Sequence, residues 1–542
     1  MTGNPMTLSS LDPRTPVLVG VGQASDRLGD TGYQGLSPVE LAAKAAQSAL
    51  ADTGVNPTVV ASAIDTVAGI RQFEISTPDA LAPLGRSDNY PRSVARRVGA
   101  KPVRAILEVA GGQGPQHLVN ELAATIARGG CEAALLFGAE AISTVRHLTE
   151  ATDRPDFTEH VDGDLDDRGY GLQGISSQQQ TLHGLTGAPE QYGLLENARR
   201  TRLKQSRDEY MRGMGQLFAP FTRIAAANPH ASAPVVRTAA ELVSVTERNR
   251  IIADPYPRYL VARDQVNQGA AAVLTSVAAA ERLGVPRERW VFLHGHADLR
   301  ERSILERAEL SISPAAALAA YHALEVAGIS VADVATFDLY SCFPIATSAV
   351  ADALSLAPDD PRGLTLTGGL PFFGGAGNNY SMHAIAETVL RMRAQPGAFG
   401  FVGANGGILS KYSVGVYSAT PAPWQDDESH RLQAVIDAWP APATAEHANG
   451  WARIETWTVS YGRDGAGTGI VVGRLEDDDR RFLAQVVPGD EELLKLLTTG
   501  DPAGTRVLAR SFGIGNRVAS DPDRMDTVRI PEPAAWDLRA LG

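Results

Sequence analysis

Cysteine is nearly absent from this chain. Its 542 residues include only Cys131 and Cys342. Two are too few for a disulfide scaffold or a CxxC metal knuckle, and they point to a reducing compartment. Aromatic residues are also scarce, at 6%, whereas alanine is abundant, so helices are expected to pack closely on a sheet. No uncharged apolar run approaches the about 18–20 residues of a membrane span. The opening stretch MTGNPMTLSSLDPRTP lacks the basic flank and apolar segment of a secretion signal. The expected location is therefore cytoplasmic. A net charge of −13 argues against a broad nucleic-acid footprint. No P-loop, dinucleotide fingerprint or metal constellation stands out, and the lone Gly20-Val21-Gly22 does not make one.

What is present is a half-length unit that occurs twice. Residues 37–65 and 313–338 each open with Ser-Pro, an N-cap followed by proline at the first helical position. Each continues as an alanine-rich helix, stops at a glycine (Gly54, Gly328) and leads into a strand. A second matched pair, 118–140 and 384–405, reads helix, glycine turn, buried strand. A glycine cluster precedes each of these helices, Gly111-Gly112-Gln113-Gly114 and Gly374-Gly375-Ala376-Gly377. Strand and helix alternation in both halves predicts α/β layers. Asp153 to Asp167 reads as an acidic surface loop, and the polar, Arg- and Gln-rich stretch up to about residue 250 as a helical insertion.

Composition shifts near residues 420 and 440, where Pro and Ala cluster like linkers. Short alternating runs follow, with one helix between them, which predicts a small antiparallel β-barrel of OB-like type. Such barrels often bind single strands. Here residues 421–542 carry 13 Lys and Arg against 20 Asp and Glu, and Trp451, Trp457 and Phe482 read as barrel core, so nucleic acid is not the expected partner. The expected units are 14–289, with the insertion at about 145–250, then 290–420, then the barrel at 421–542.

The duplicated halves, glycine clusters and insertion resemble the thiolase superfamily, most closely the sterol-carrier-protein-2 type. Ile252-Ala253-Asp254-Pro255, Gln268-Gly269-Ala270-Ala271-Ala272 and Leu366-Thr367-Gly368-Gly369-Leu370 carry the likeness over roughly residues 14–420. With the barrel added, the chain resembles the thiolase-like proteins type 1. The resemblance implies duplicated αβαβα layers and an acetyl-CoA acetyltransferase-like relation to coenzyme A and lipid metabolism. It also implies a cysteine nucleophile, a water-holding Asn or His, a catalytic histidine and a second cysteine. Those roles fall on Gly112, Tyr340, Gly375 and Ala404, none of which can fill them. The expectation is thus a degenerate active site, with no thiolase turnover, no required cofactor and no metal. Loop N–H groups are left to hold a carbonyl or thioester.

Substitute chemistry has two candidates. Cys342 lies in the motif nearest the old site, and His383 lies eight residues beyond Gly375. Tyr340 either donates a phenolic hydrogen bond or fills the space of a missing side chain. Cys131 reads as structural. For a CoA or acyl-CoA ligand the resemblance implies contacts from the insertion, at Arg199, Arg200, Arg202, Lys204 and Arg207, and from Gly406. The alternative is a non-catalytic scaffold or partner subunit acting through the barrel. Thiolases associate through the strand before the nucleophile loop, here Ala105 to Val109, and both monomer and homodimer remain open.

Overall fold

The structure, a computed structural model, describes residues 11–173, 175–462, 465 and 467–528. Residues 529–542 of the expected barrel unit lie outside the described residues. Seventeen strands are described. The first nine are β1 (Pro16–Ser25), β2 (Thr66–Gly69), β3 (Arg104–Leu107), β4 (Ala133–Ala141), β5 (Asp166–Asp167), β6 (Ile251–Ala253), β7 (Tyr256–Pro257), β8 (Asn267–Ser276) and β9 (Val291–Arg300). The rest are β10 (Val334–Leu339), β11 (Phe399–Gly406), β12 (Lys411–Ser418), β13 (Gly450–Tyr461), β14 (Gly467–Leu475), β15 (Arg481–Val486), β16 (Arg506–Ser511) and β17 (Asn516–Ala519).

Ten of these run in the order β10-β11-β12-β9-β1-β8-β4-β2-β3-β5. The two halves join where β1 meets β9, at Val17–Phe292 and Leu18–Val291. The small-residue composition explains how the layers approach. On β1, a Cβ at Gly20 or Gly22 would lie under 3.0 Å from backbone atoms of Ala49 and Ala45 in the helix Pro38–Asp52. On β9, Gly295 bears the same relation to Ala323 in the helix Pro314–Val326. Each half thus seats an alanine-rich helix on strand glycines. The first helix has a capping box between Ser37 and Glu40. The second has no side-chain bond from Ser313, and Glu301 accepts from the Ala315 N–H instead, at 3.1 Å.

The helices Gly114–Ala127 and Tyr380–Ala394 form the middle layer. Their apolar faces share one core with strands of both halves, including Leu118, Leu122, Met382, Val389, Leu136 and Val402. The sequence is therefore read correctly as a duplicated αβαβα fold. The acidic segment departs from expectation at its end, where Asp166–Asp167 pairs in parallel with β3. The insertion places the helices Gln178–Leu182, Ala188–Leu203, Arg207–Ala227 and Ala239–Val243 between β5 and β6. No helix among the described residues is long and apolar enough to cross a membrane.

The C-terminal strands run β14-β15-β17-β16-β13, and β13 pairs again with β14 to close a five-stranded barrel. The expected all-antiparallel pairing needs one correction, because β15 and β17 are parallel, at Gln485–Arg517 and Val486–Val518. Trp457 and Phe482 are buried in the barrel core, so their faces are not open for base stacking. The barrel is joined to the layers. β13 extends onto β6 at Ser460–Ala253, and the fully buried Arg481 reaches the carbonyls of Leu305, Arg307 and Ala308 while pairing with Glu455.

Removing that guanidinium strands three carbonyls, while Glu455 keeps Arg474 at 3.0 Å. Breaking one partner of a buried pair costs about 3 kcal/mol or more. Arg481→Met is expected to lower the unfolding free energy read by urea denaturation by that amount and to open the segment 420–450 to limited proteolysis, whereas Arg480→Met, on the exposed turn, leaves both unchanged.

Candidate active site

The loop Ala110–Gln113 follows β3 and opens the central helix. Side chains from the second half hold it. Asn378 accepts from the Gly111 N–H at 2.9 Å, Ser381 donates to the Gly112 carbonyl at 2.6 Å, and Lys411 donates to the Ala110 carbonyl at 3.0 Å. Gly111 has φ +143°, a conformation other residues avoid.

Gly112 has no room for a side chain. A Cβ there would lie under 3.0 Å from the Tyr340 phenol and the Asn405 carbonyl. Tyr340 is 6% exposed, its ring edge-on to Tyr380 at 5.4 Å. Burial pushes its phenol well above the usual range, so it stays neutral. Its phenol stands where a side chain at position 112 would be. Gly406 is closed in the same way, since a Cβ there would lie under 3.0 Å from Gln113 Oε1. Ala404 is fully buried on β11. Gly375 turns the other way: its N–H donates to the Arg263 carbonyl at 2.7 Å, and a Cβ would stand 3.2 Å from that oxygen.

The substitute candidates lie beside this arrangement. Cys342 is 9% exposed, and burial pushes its thiol up to about 12, so the thiolate is scarce at neutral pH. Asn405 Nδ2 lies 3.8 Å from its sulfur and donates to Tyr192 Oη at 2.7 Å. His383 is fully buried. Its Nδ1 lies 2.6 Å from Gln23 Oε1 and its ring packs on Phe373, so its partners are not the loop at Gly112. Burial, aided by His230, lowers its pKa well below the usual range, and it remains neutral. Cys131 donates to Asp65 at 3.0 Å, a structural contact. Asp338 is buried and accepts from the Leu366 and Thr367 N–H groups, fixing the segment ahead of Gly369.

The insertion arginines have partners within the fold. Arg199 and Arg202 both pair with Asp352, at 2.7 and 2.9 Å. Arg200 is 3% exposed and stacks over Trp457 at 4.9 Å. Arg207 pairs with the buried Asp254. Lys204 sits exposed at the helix end with φ 53°. The expected phosphate cradle is thus largely a set of structural ties.

A different basic group was not legible in sequence. Arg237, Arg258 and Arg263 line a cleft of about 200 Å³ with Tyr259, Val261, Phe372 and one carboxylate, Asp264; the Arg263 carbonyl is the acceptor of the Gly375 N–H. None of the three has a carboxylate partner within 4 Å among the described residues. Arg237 lies 4.1 Å over the Tyr259 ring. Arg263 Nε is buried without an acceptor, and burial, with repulsion from Arg258 and Arg237, lowers its pKa. Arg258 and Arg263 lie five residues apart on one stretch, but Arg237 joins them only through the fold.

The layers, glycine loops and paired halves define a protein of the thiolase superfamily. Residues 431–513 match the family described as "Thiolase-like protein type 1 additional C-terminal domain". Along almost its whole length the structure is similar to the monomeric SCP2-thiolase-like protein type 1 from Mycobacterium smegmatis. Identity is 50%, the match covers 94% of this chain and 100% of that one, and the TM-score is 0.82. The chain belongs to the SCP2-thiolase-like protein type 1 family. The fold extends to the dimeric peroxisomal thiolase of Saccharomyces cerevisiae, at 14% identity, 75% and 98% coverage and TM-score 0.53. It extends equally to the Ltp2-ChsH2(DUF35) aldolase, at 19% identity, the same coverage and TM-score 0.53. No curated protein sequence matches the chain.

The steric reading of Gly112 is testable. Gly112→Ala is expected to destabilise the protein by about 1–3 kcal/mol, the usual range for an overpacked core. Tyr340→Ala in the same chain should recover part of that loss in a double-mutant cycle read by urea denaturation. Independent, additive effects would show that the phenol does not limit the site.

Proposed function

We propose that this chain binds CoA or an acyl-CoA and does not carry out the thiolase reaction. The observation that carries the reading is the cleft of Arg237, Arg258 and Arg263, three cations without carboxylate partners beside the Gly375 loop. Unpaired guanidinium groups next to an aromatic face suit phosphate oxygens and a flat or thin ligand body. The degenerate site follows from the family positions. Gly112 and Gly375 have no side chain to react, Ala404 has no thiol, and Tyr340 occupies the space over Gly112. Loss of a covalent nucleophile alone costs orders of magnitude in rate. The structural ties of Arg199, Arg200, Arg202 and Arg207 move the proposed phosphate contact away from them, leaving Lys204 as the member of that group without a carboxylate partner among the described residues.

A role in cytoplasmic lipid metabolism, as an acyl-CoA carrier or sensor, is the matching cellular reading. The alternative is a scaffold or partner subunit working through the barrel, which the likeness to a two-component aldolase favours. The two separate on CoA binding alone. By isothermal titration, the full chain is expected to bind CoA saturably, with Arg263→Gln weakening it at least tenfold and Arg199→Gln leaving it unchanged. No binding at millimolar CoA would favour the scaffold.

We further propose a monomer. The outer edge of β3 is taken by β5, and Arg104–Asp166 and Arg71–Asp167 ion pairs fasten it. A covered edge cannot pair with a second copy, and the Mycobacterium smegmatis relative is described as monomeric. Light scattering should give a mass near 57.3 kDa. A mass of twice that would overturn the edge argument.

A further inference from the structure

The insertion and the barrel meet at a histidine whose two ring nitrogens have fixed roles. His183 follows the helix Gln178–Leu182 and is fully buried. Its Nδ1 lies 2.6 Å from the Gln179 carbonyl oxygen, which can only accept, so Nδ1 carries the proton. Its Nε2 accepts from the Asn516 N–H at 2.7 Å, so Nε2 carries none. The ring is therefore a neutral imidazole in the Nδ1–H tautomer. The His183 carbonyl in turn accepts from Gln485 Nε2 at 3.0 Å. One residue of the insertion thus touches both β15 and β17.

Those two strands form the shortest seam of the barrel. They pair at two positions, whereas β16 pairs with β17 and with β13 at four each, and β14 with β15 at five. Asn516 opens β17 and ties the seam together. Its Oδ1 accepts from the Ala448 N–H, and its Nδ2 donates to the carbonyls of Glu446 and Leu483, each at 3.0 Å. Past the other end of the strand, the buried Asp490 accepts from the Ser520 N–H at 2.9 Å. His183 therefore secures the start of β17, where the insertion meets it.

A proton on Nε2 would end this arrangement. It would turn the acceptor into a second N–H facing the Asn516 N–H, and leave that buried amide without a partner. The ring pairs with no carboxylate among the described residues. The charged group acting on it is Arg517 of β17, which repels a second cation, while Gln179 of its own helix and Gln485 of β15 are neutral. Burial, with Arg517, holds the His183 pKa below the usual range. A ring released into water takes up its proton at about 6.5. The closed contact thus keeps its full stability above about that pH, and loses it about tenfold per unit as pH falls, until the buried ring itself titrates.

We propose that His183 is an acid-released latch, which holds the insertion to the start of β17 at neutral pH and lets the β15–β17 seam open on acidification. An opened seam leaves unpaired backbone groups along β15, an edge that can accept another strand.

Amide hydrogen exchange of the full chain would be followed by mass spectrometry from neutral pH down to pH 4.5, corrected for intrinsic rates. Protection of the segment 512–519 is expected to fall at least about fivefold between pH 7 and pH 5, while the central helix Gly114–Ala127 keeps its protection. His183→Gln places an acceptor that does not titrate near the Nε2 position, and should hold the segment's protection within about twofold over the same range. A flat profile in the native chain, an equal fall in His183→Gln, or a parallel loss in the central helix would each overturn the latch. Nitrogen NMR of the native chain labelled at histidine checks the geometry itself. His183 is expected as the Nδ1–H tautomer with a midpoint below about 6.5; the Nε2–H tautomer or a higher midpoint would overturn the assignment.

Discussion

The phenol of Tyr340 and the bare Cα of Gly112 occupy one volume between them, and the local architecture is arranged around that exclusion. A side chain at 112 would lie under 3.0 Å from the ring and from the Asn405 carbonyl. The loop carrying Gly112 is then free to be held from the other half of the molecule, by Asn378, Ser381 and Lys411. Interiors are packed like organic crystals, so a void left by a missing reactive side chain is filled or costs stability. Tyr340 packs over Gly112 and Gln113 beside Gly406, and neither glycine has room for a Cβ.

Charge is used in the same inward-directed way over much of the surface between the units. Asp352 holds Arg199 and Arg202, the buried Asp254 holds Arg207, and Glu455 holds Arg481. Asp352 thereby fastens the insertion to the layers, and Arg481 fastens the barrel through the carbonyls of Leu305, Arg307 and Ala308; the insertion arginines that sequence alone offers to a ligand are largely consumed. Arg237, Arg258 and Arg263 are left without carboxylate partners within 4 Å among the described residues, and one cleft gathers all three. Burial of an unpaired guanidinium is costly, so the orphaned Arg263 Nε is where an anionic group has most to offer the fold.

The duplicated halves were legible because their signals are local. Ser37-Pro38 and Ser313-Pro314 mark helix starts, and alanine facing glycine marks close packing. The barrel strands from β13 to β16 showed by alternation, but β17 is only four residues long and β5 is two aspartates, which no strand propensity identifies. The candidate site divides similarly. The four family positions could be counted out along the chain. The fate of Arg199 could not, because its partner Asp352 is 153 residues away. The arginine cleft was invisible for the same reason, since position 237 meets 258 and 263 only after the insertion folds back onto the layers.

The most direct test of the account follows binding and turnover together. Acetoacetyl-CoA and CoA would be mixed with the full chain at concentrations that saturate it, with the bound fraction and the loss of acetoacetyl thioester measured in one sample. The account predicts a saturated protein and a rate of thioester loss equal to the protein-free control. Turnover that scales with protein concentration would contradict it, and would require a nucleophile other than the residue at position 112.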